Sequence, residues 1–537
     1  MSDNPQGVQA QHQAALAEGR FLIQQCGDCS QHIYFPREVC PHCGSNDLAL
    51  VAPTGLGTVY SVTTVRRKPD AGGDYNVCLI DLDEGVRLMS RVDMDPVDAV
   101  QVGQRVQARV VVDKGQGMVV FDPVNTAANS AKPVPRGPAA SAAVHTSSGL
   151  KSLRGSAAIA GVATFGCGEA TGFTEMEVLA RAAHAAVADA GLKMSDIDGL
   201  CTASVLSTMW PMPVTEYLGI NPRYINGTML GGSSFVAHLL PAMMALQSGQ
   251  CNAVLVCYGS TQRTSTFGRA EIAQARRVMD PQPYETPYAP MQPLSAYAMA
   301  TRRHMHQYGT TRRQLAEVAV AARAWARLNP EAFMRDPLTI EDVLSARPIA
   351  SPLSVRDCCL VTDGAGAIVL VRGERARDLP RPPVYVLGNA TAIWNRQISC
   401  MPDLTTTAAA QSGAQAFAMA GLTAADMDMA QVYDAFTINT LLFLEDLGFV
   451  AKGEAGAFVE SGAIGPGGSL PVNTNGGGLS CTHPGMYGIF ALIEAVQQLR
   501  GEGGERQVPG VHVALAHGNG GTLSSQATAI LGTADTL

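Results

Sequence analysis

Hydrophobic and polar positions change their rhythm twice along the chain. Between Val51 and Pro123 apolar and polar residues alternate, with turns between the runs, as in GTVYSVTTVRR, NVCLIDLDEGVRLMSRVD and QRVQARVVV. A period of two is that of half-buried strands, so this stretch predicts short antiparallel strands closing into a small OB-like β-barrel over residues 51–124. The next stretch, NTAANSAKPVPRGPAASAAVHTSSGLKSLRG, is small, polar and nearly aperiodic, which predicts a flexible linker over 125–155. From Ser156 onward apolar strands alternate with amphipathic helices, the pattern of α/β layers.

That last region contains a repeat. Residues Ala185 to Asp198 (AAVADAGLKMSDID) and Gln415 to Asp428 (QAFAMAGLTAADMD) are identical at seven of fourteen positions, at an offset of 230. Each copy leads to a glycine cluster, a helical pattern and an apolar strand: GGSSFVAHLLPAMMALQSGQCNAVLVCYGS in the first, and GGGLSCTHPGMYGIFALIEAVQQLRGEGG through VHVALAHGNGG in the second. A duplicated α/β fold follows, with halves over 156–390 and 391–537 and a site expected at their seam.

Composition narrows the classes of function. At 537 residues the chain suggests three or four units, and 46% hydrophobic content excludes a disordered chain. Only 16% of residues are charged, well under the roughly 25% of an average soluble chain, so much of the surface must be small or neutral, or buried against another subunit. A net charge of −8 without a charged tail argues against nucleic acid as a partner. The polar start, MSDNPQGVQAQHQ, and the absence of any apolar run of 18 residues predict a cytoplasmic protein with no membrane span.

In a reducing compartment, thirteen cysteines point to metal ligands and buried thiols rather than disulfides. Within residues 1–50, a segment expected to hold an N-terminal helix and a zinc ribbon, Cys26 and Cys29 form one CxxC and Cys40 and Cys43 a second. Two such knuckles bring four thiolates within reach of one Zn2+, and four sulfur ligands leave no open position, so the metal is structural.

SAYAMATRRHMHQYGTT, DCCLVTDGAGAIVL, VYDAFTINTLLFLEDLGF, NTNGGGLSCTHPGMYG and the closing HGNGG together resemble the thiolase superfamily, in its sterol-carrier-protein thiolase branch. The first 124 residues are similar to the zinc-ribbon/OB-fold proteins that partner such enzymes. The resemblance implies a CoA thioester as substrate and a dimer. It also implies an acyl-carrying cysteine before the glycine-serine pair of the first half, yet INGTMLGGSSFVAH offers Met229 or a non-cysteine neighbour there. A thioether cannot be acylated and turn over. The family's second cysteine aligns with His517, its glycine-histidine-proline histidine with His483, and its enolate-binding residue with Tyr433.

The steroid side-chain aldolases resemble the same branch and likewise lack the nucleophile. That resemblance implies a retro-aldol cleavage of a β-hydroxyacyl-CoA, which needs a base for the β-hydroxyl, an acid for the α-carbon and donors for the thioester enolate. Tyr433 and Tyr297 are the candidates for acid and base, with His483 as enolate stabiliser or partner base and His517 beside them. Gly231, Gly232, Ser233, Asn519 and Gly520 are candidates to hold the thioester, and Arg263, Arg269, Arg276 and Arg277 could meet CoA phosphates. A Schiff-base aldolase is disfavoured, because after the linker only Lys193 and Lys452 remain, both in polar, turn-like contexts. Two alternatives stand: a thiolase-type acyltransferase using an unorthodox nucleophile such as Cys481, and a non-catalytic acyl-CoA or lipid carrier.

Overall fold

A computed structural model describes residues 7–113, 115–124, 148–207, 209–265 and 282–537. The amino-terminal helix α1 (Val8–Ala17) lies on the barrel so closely that a Cβ on Gly117 would sit 2.2 Å from the Leu16 backbone. A three-stranded sheet, β1 (Ile23–Cys26), β2 (His32–Ile33) and β3 (Leu48–Val51), in the order β2-β1-β3, carries the four cysteines. The barrel follows with β4 (Leu56–Val65), β5 (Tyr75–Leu82), β6 (Arg87–Ser90), β7 (Arg105–Asp113) and β8 (Gln116–Pro123), antiparallel throughout as the alternation predicts.

The α/β region builds one nine-stranded sheet in the order β11-β10-β12-β15-β9-β16-β19-β18-β17. The first half supplies β9 (Ala157–Gly168), β10 (Gly199–Thr202), β11 (Tyr224–Asn226), β12 (Ala253–Ser260) and β15 (Asp363–Arg372). The second supplies β16 (Val384–Ile393), β17 (Met429–Val432), β18 (Val513–Gly520) and β19 (Ser525–Gly532), so the boundary expected at 390/391 falls inside β16 and the second half begins near Val384. Counted outward from the β9–β16 contact, the pairings repeat: antiparallel, antiparallel, then parallel in each half. Val472, bridged in parallel to Ala430, stands where β11 stands in the first half.

The internal repeat has a local cause in both copies. A helix ends at a left-handed glycine, Gly191 at φ +70° and Gly421 at φ +68°. Asp196 and Asp426 then cap the next turn, each accepting a backbone N–H at 2.8 Å, from Lys193 and Thr423. Asp198 and Asp428 close the unit by accepting the backbone N–H groups of Ala253 and Val513 at the starts of β12 and β18. The residues shared by the two copies are thus those that end a helix and aim the following strand.

The barrel is built into the body. A short hairpin from the first half, β13 (Pro348–Ser351) with β14 (Leu353–Ser354), extends the barrel sheet by pairing Ala350 with Val65 of β4. Val65, Val77, Leu79 and Met89 belong to the core of the α/β region. Ser61 donates to the Met299 carbonyl at 2.7 Å, and Arg87, paired with Asp81 and 3.4 Å above the Tyr60 ring, donates to the Met401 carbonyl at 2.8 Å. Of the stretch read as a linker, 125–147 lie outside the described residues, whereas residues 148–155 pack on the body: Leu153 is buried and Arg154 donates to the Ala420 carbonyl at 2.8 Å. Among the described residues no helix is long and apolar enough to cross a membrane.

Candidate active site

The four cysteines are placed as the CxxC pairs predict. Their sulfurs lie within 4.8 Å of one another, with Cys26 and Cys43 3.6 Å apart and Cys29 and Cys40 3.7 Å apart. Four sulfurs about 2.3 Å from a central zinc stand roughly 3.8 Å from one another, so the donor set fits that ion. Each knuckle closes on a left-handed residue, Ser30 at φ +58° and Gly44 at φ +81°, whose N–H reaches the carbonyl of Cys26 or Cys40 at 2.9 Å.

The seam of the two halves is made of glycine. A Cβ on Gly231 would lie 2.7 Å from the Gly521 nitrogen, one on Gly520 would lie 1.7 Å from the Leu230 oxygen, and one on Gly518 would lie 2.9 Å from the Ser233 Cα. Ser233 hydrogen-bonds Ser525 across the contact at 2.9 Å. Gly231, Gly518 and Gly520 therefore bring the two backbones into contact, which only absent side chains allow, with Ser233 in the same contact and Gly232 beside it. Met229 stands at the mouth of this loop, 41% exposed, its sulfur accepting from Ser234 Oγ at 3.8 Å.

Tyr433 covers the loop. It follows β17, its N–H is held by the His517 carbonyl, and its ring lies where a Cβ on Gly232 would come within 2.2 Å of Cε2. Its hydroxyl is 3.0 Å from His483 Nε2 and accepts the Tyr487 backbone N–H at 3.3 Å. Burial holds the Tyr433 hydroxyl well above the ordinary tyrosine range, and neighbouring Cys359 and Tyr297 add to the effect. His483, half-buried, is placed by its own N–H donating to Thr362 Oγ1 at 2.9 Å.

Two members of this cluster escaped the sequence reading. Tyr487, fully buried, packs edge-on to Tyr433 with ring centroids 5.7 Å apart and donates to Asn475 Oδ1 at 3.0 Å. Burial lifts it well above its usual range, and Asp434 and Cys481 nearby add to that. Asp434, also fully buried, accepts the N–H groups of Gly478 at 2.6 Å and Leu479 at 3.3 Å, fixing the loop that carries His483. Burial raises its carboxyl to about 7 even against those hydrogen bonds. Both lie inside stretches that carry the family pattern, VYDAF and THPGMYG, which the resemblance marks at Tyr433 and His483 instead.

The other candidates are placed differently from expectation. His517 sits inside β18 rather than in a glycine loop, fully buried, and burial lowers it to about 4. Asn519 has both ends of its amide engaged by protein, donating to Tyr297 Oη and accepting from Gln526 Nε2, each at 2.8 Å. Tyr297 is buried and stacked on Phe436 with centroids 4.4 Å apart. Cys481 is buried, and burial pushes its thiol well above the usual range, the reverse of what a nucleophile needs. Arg263 is paired with Glu169 at 2.6 Å, whereas Arg269, Arg276 and Arg277 lie outside the described residues. Lys452, expected in a turn, is half-buried between Glu445 and Asp446 and donates to the Thr405 carbonyl at 2.6 Å, so it is held in ion pairs.

Two α/β halves related by duplication, meeting at a glycine seam covered by tyrosine and histidine, define a thiolase-type protein. Residues 390–533 match the thiolase C-terminal domain-like family, 50–111 the C-terminal OB-fold domain of ChsH2, and 13–49 the ChsH2 rubredoxin-like zinc ribbon. The chain is 36% identical to a steroid side-chain-cleaving aldolase of Thermomonospora curvata, over 65% of this chain and 91% of that protein. It is also 36% identical to a 17-hydroxy-3-oxo-4-pregnene-20-carboxyl-CoA lyase of Mycobacterium tuberculosis, over 68% of this chain and 97% of that protein. A solved Ltp2-ChsH2(DUF35) aldolase superposes with a TM-score of 0.64 at 34% identity, over 71% of this chain and 98% of that one. The chain belongs to the thiolase superfamily, in the branch of these aldolases and the sterol-carrier-protein thiolases, with the zinc-ribbon and OB-fold domains fused at its amino-terminal side.

Asp434 makes stability depend on pH. An unfolded aspartate titrates near 3.9, whereas Asp434 in the folded chain titrates at about 7. The folded state thus holds a proton that the unfolded state has released. Its contribution is complete below about pH 4, is lost as pH rises to about 7, and is flat above that, with a slope of up to about 1.4 kcal/mol per pH unit. In thermal denaturation the fall in Tm between pH 5 and pH 8 is expected to be smaller in Asp434→Asn, which has no proton to lose; equal falls in both proteins would contradict the assignment.

Proposed function

We propose that the protein is a retro-aldolase that cleaves a bulky or branched β-hydroxyacyl-CoA into a ketone or aldehyde and a shorter acyl-CoA. The observation that carries this reading is the Tyr433–His483 contact of 3.0 Å, set over a loop where the acyl-accepting position, Met229 or an immediate neighbour, is not a cysteine. The contact supports proton transfer, and the loop offers no thiol to carry an acyl group. The names of both relatives, one a side-chain-cleaving aldolase and the other a carboxyl-CoA lyase, support cleavage and a steroid side chain as the acyl group.

In this reading the β-hydroxyl gives its proton to the Tyr433 oxygen while Tyr433 passes its own to His483 Nε2. The carbon–carbon bond breaks, and its electron pair becomes the thioester enolate. A tyrosine held well above its usual range is a poor base alone, and the imidazole that takes its proton removes that obstacle. The seam glycines let backbone approach the thioester oxygen closely. We place the protein in the cytosol, with one structural Zn2+ in the Cys26–Cys29–Cys40–Cys43 clip. We also infer a homodimer: among the described residues β11 stands at the edge of the sheet, and Met209, Met212, Tyr217, Ile225 and Met229, on β11 or near it in sequence, are 41 to 65% exposed.

Three measurements test these readings. A β-hydroxyacyl-CoA offered without free CoA should yield the shorter acyl-CoA, and Tyr433→Phe should lower kcat by about a hundred-fold or more. CoA-dependent cleavage of a β-ketoacyl-CoA through an acyl-cysteine would overturn the aldolase reading. Elemental analysis should find one zinc per chain, lost in Cys26→Ser together with the fold of the ribbon; unchanged stoichiometry would refute the four-thiolate clip. Light scattering should give a dimer mass for the parent chain and a monomer for Ile225→Asp, and a monomeric parent would remove the interface.

A further inference from the structure

Tyr297 stands at the end of a line of buried hydrogen bonds. Ser412 Oγ lies 2.9 Å from Thr528 Oγ1, and Thr528 Oγ1 lies 2.9 Å from His517 Nδ1. His517 Nε2 lies 3.0 Å from Gln526 Oε1, Gln526 Nε2 donates to Asn519 Oδ1 at 2.8 Å, and Asn519 Nδ2 donates to Tyr297 Oη at 2.8 Å. All six residues are between 0 and 3% exposed.

The line has one direction, and the amides set it. Gln526 gives its N–H to Asn519, so its oxygen faces His517, and the His517 nitrogen opposite must carry a hydrogen. A neutral imidazole has only one N–H, so His517 Nδ1 accepts from the Thr528 hydroxyl, whose oxygen accepts in turn from Ser412. Burial, which lowers His517 to about 4, keeps the ring in that neutral form. Every bond therefore points toward Tyr297, whose oxygen receives an N–H and whose own hydrogen is left for a partner other than Asn519. The Leu523 backbone and the Asn439 side chain act on that oxygen in the same sense, against the effect of burial.

We propose that Tyr297 is the proton donor to the α-carbon of the thioester enolate, and that His517, Gln526 and Asn519 are positioning residues that keep its oxygen supplied with N–H. The inference rests on the retro-aldol reading. After the carbon–carbon bond breaks, the enolate electron pair takes the Tyr297 proton at the α-carbon. The phenolate left behind is held by the Asn519 amide, and the proton parked on His483 returns to it through solvent on product release, so no net proton is gained or lost. Tyr297 lies near enough to Tyr433 to push its hydroxyl further up, so the line ends beside the Tyr433–His483 pair.

The test is Gln526→Glu in the full chain. The carboxylate still accepts from His517 but has no N–H for Asn519, which then loses the contact that fixes its orientation toward Tyr297. Expected are a fall in kcat of about ten- to hundred-fold with KM within about two-fold, an equal fall in exchange of the product acyl-CoA α-protons with D2O, and a larger solvent isotope effect on kcat. Should that variant not fold, Thr528→Val, which removes the donor to His517 Nδ1, should move exchange and isotope effect the same way by less. A folded variant with the parent's exchange rate and isotope effect overturns the relay. A parent chain that leaves β-hydroxyacyl-CoA intact defeats the aldol reading instead.

Discussion

The structure turns on a contact between two backbones. Gly231 of the first half meets Gly520 and Gly521 of the second, and Gly518 and Gly520 meet Ser233 and Leu230 of the first, at distances that leave no room for a Cβ. Close approach of main chains is one of the few uses for which glycine has no substitute, and its entropic cost is borne by the rigid sheet on either side. The contact fixes where the two copies of the duplicated unit meet. Tyr433 depends on it directly, because its ring occupies the space above Gly232. The Gly488 nitrogen, hydrogen-bonded to the Gly232 carbonyl at 3.1 Å, ties the loop to the helix after His483 and Tyr487. Moving that loop would move the tyrosine, the histidine and the backbone donors together.

A dry seam dictates which chemistry can be housed there. Burial pushes the thiols of Cys359 and Cys481 up and so favours the neutral form, and neither has a cationic partner close enough to reverse the effect. The same burial makes phenols poor acids in isolation, yet a phenol can act through a hydrogen-bonded neighbour in a way an isolated thiol cannot. Tyr433 has His483, and Tyr297 has Asn519. Under the proposed retro-aldol reading, a site without an acyl-carrying cysteine and with two hydrogen-bonded tyrosines moves protons between neutral groups rather than stabilising a thiolate.

Much of this was legible in the sequence because the signals were local. The CxxC pairs, the alternation of the barrel and the repeated AGL…D…D pattern each depend on residues within a turn or a strand of one another. Gly421 and Asp426 could be read from their first-half counterparts at a constant offset. What stayed hidden depended on partners far along the chain. His517 looks like a loop histidine until β17 and β19 are seen to flank it, and Asn519 looks available until Tyr297, 222 residues away, is found at its amide. Tyr487 sits four residues after His483, and only packing against Tyr433 distinguishes it from a core aromatic. Arg154 reads as linker because its partner, the Ala420 carbonyl, lies 266 residues away in the second half and leaves no mark near it in sequence.

The attachment of the barrel follows the same logic of shared burial. A domain tethered by a linker would close its own sheet and core, whereas here β13 completes the barrel sheet and four barrel residues pack into the α/β core. Withdrawing it would expose Val65, Val77, Leu79 and Met89 and take the Met401 carbonyl from Arg87, which would keep only Asp81. Ser61 ties β4 to the Met299 carbonyl, two residues from Tyr297 on the same helix. The barrel therefore backs the helix that presents Tyr297, and fusion in one chain holds that support at a fixed stoichiometry with the seam it serves.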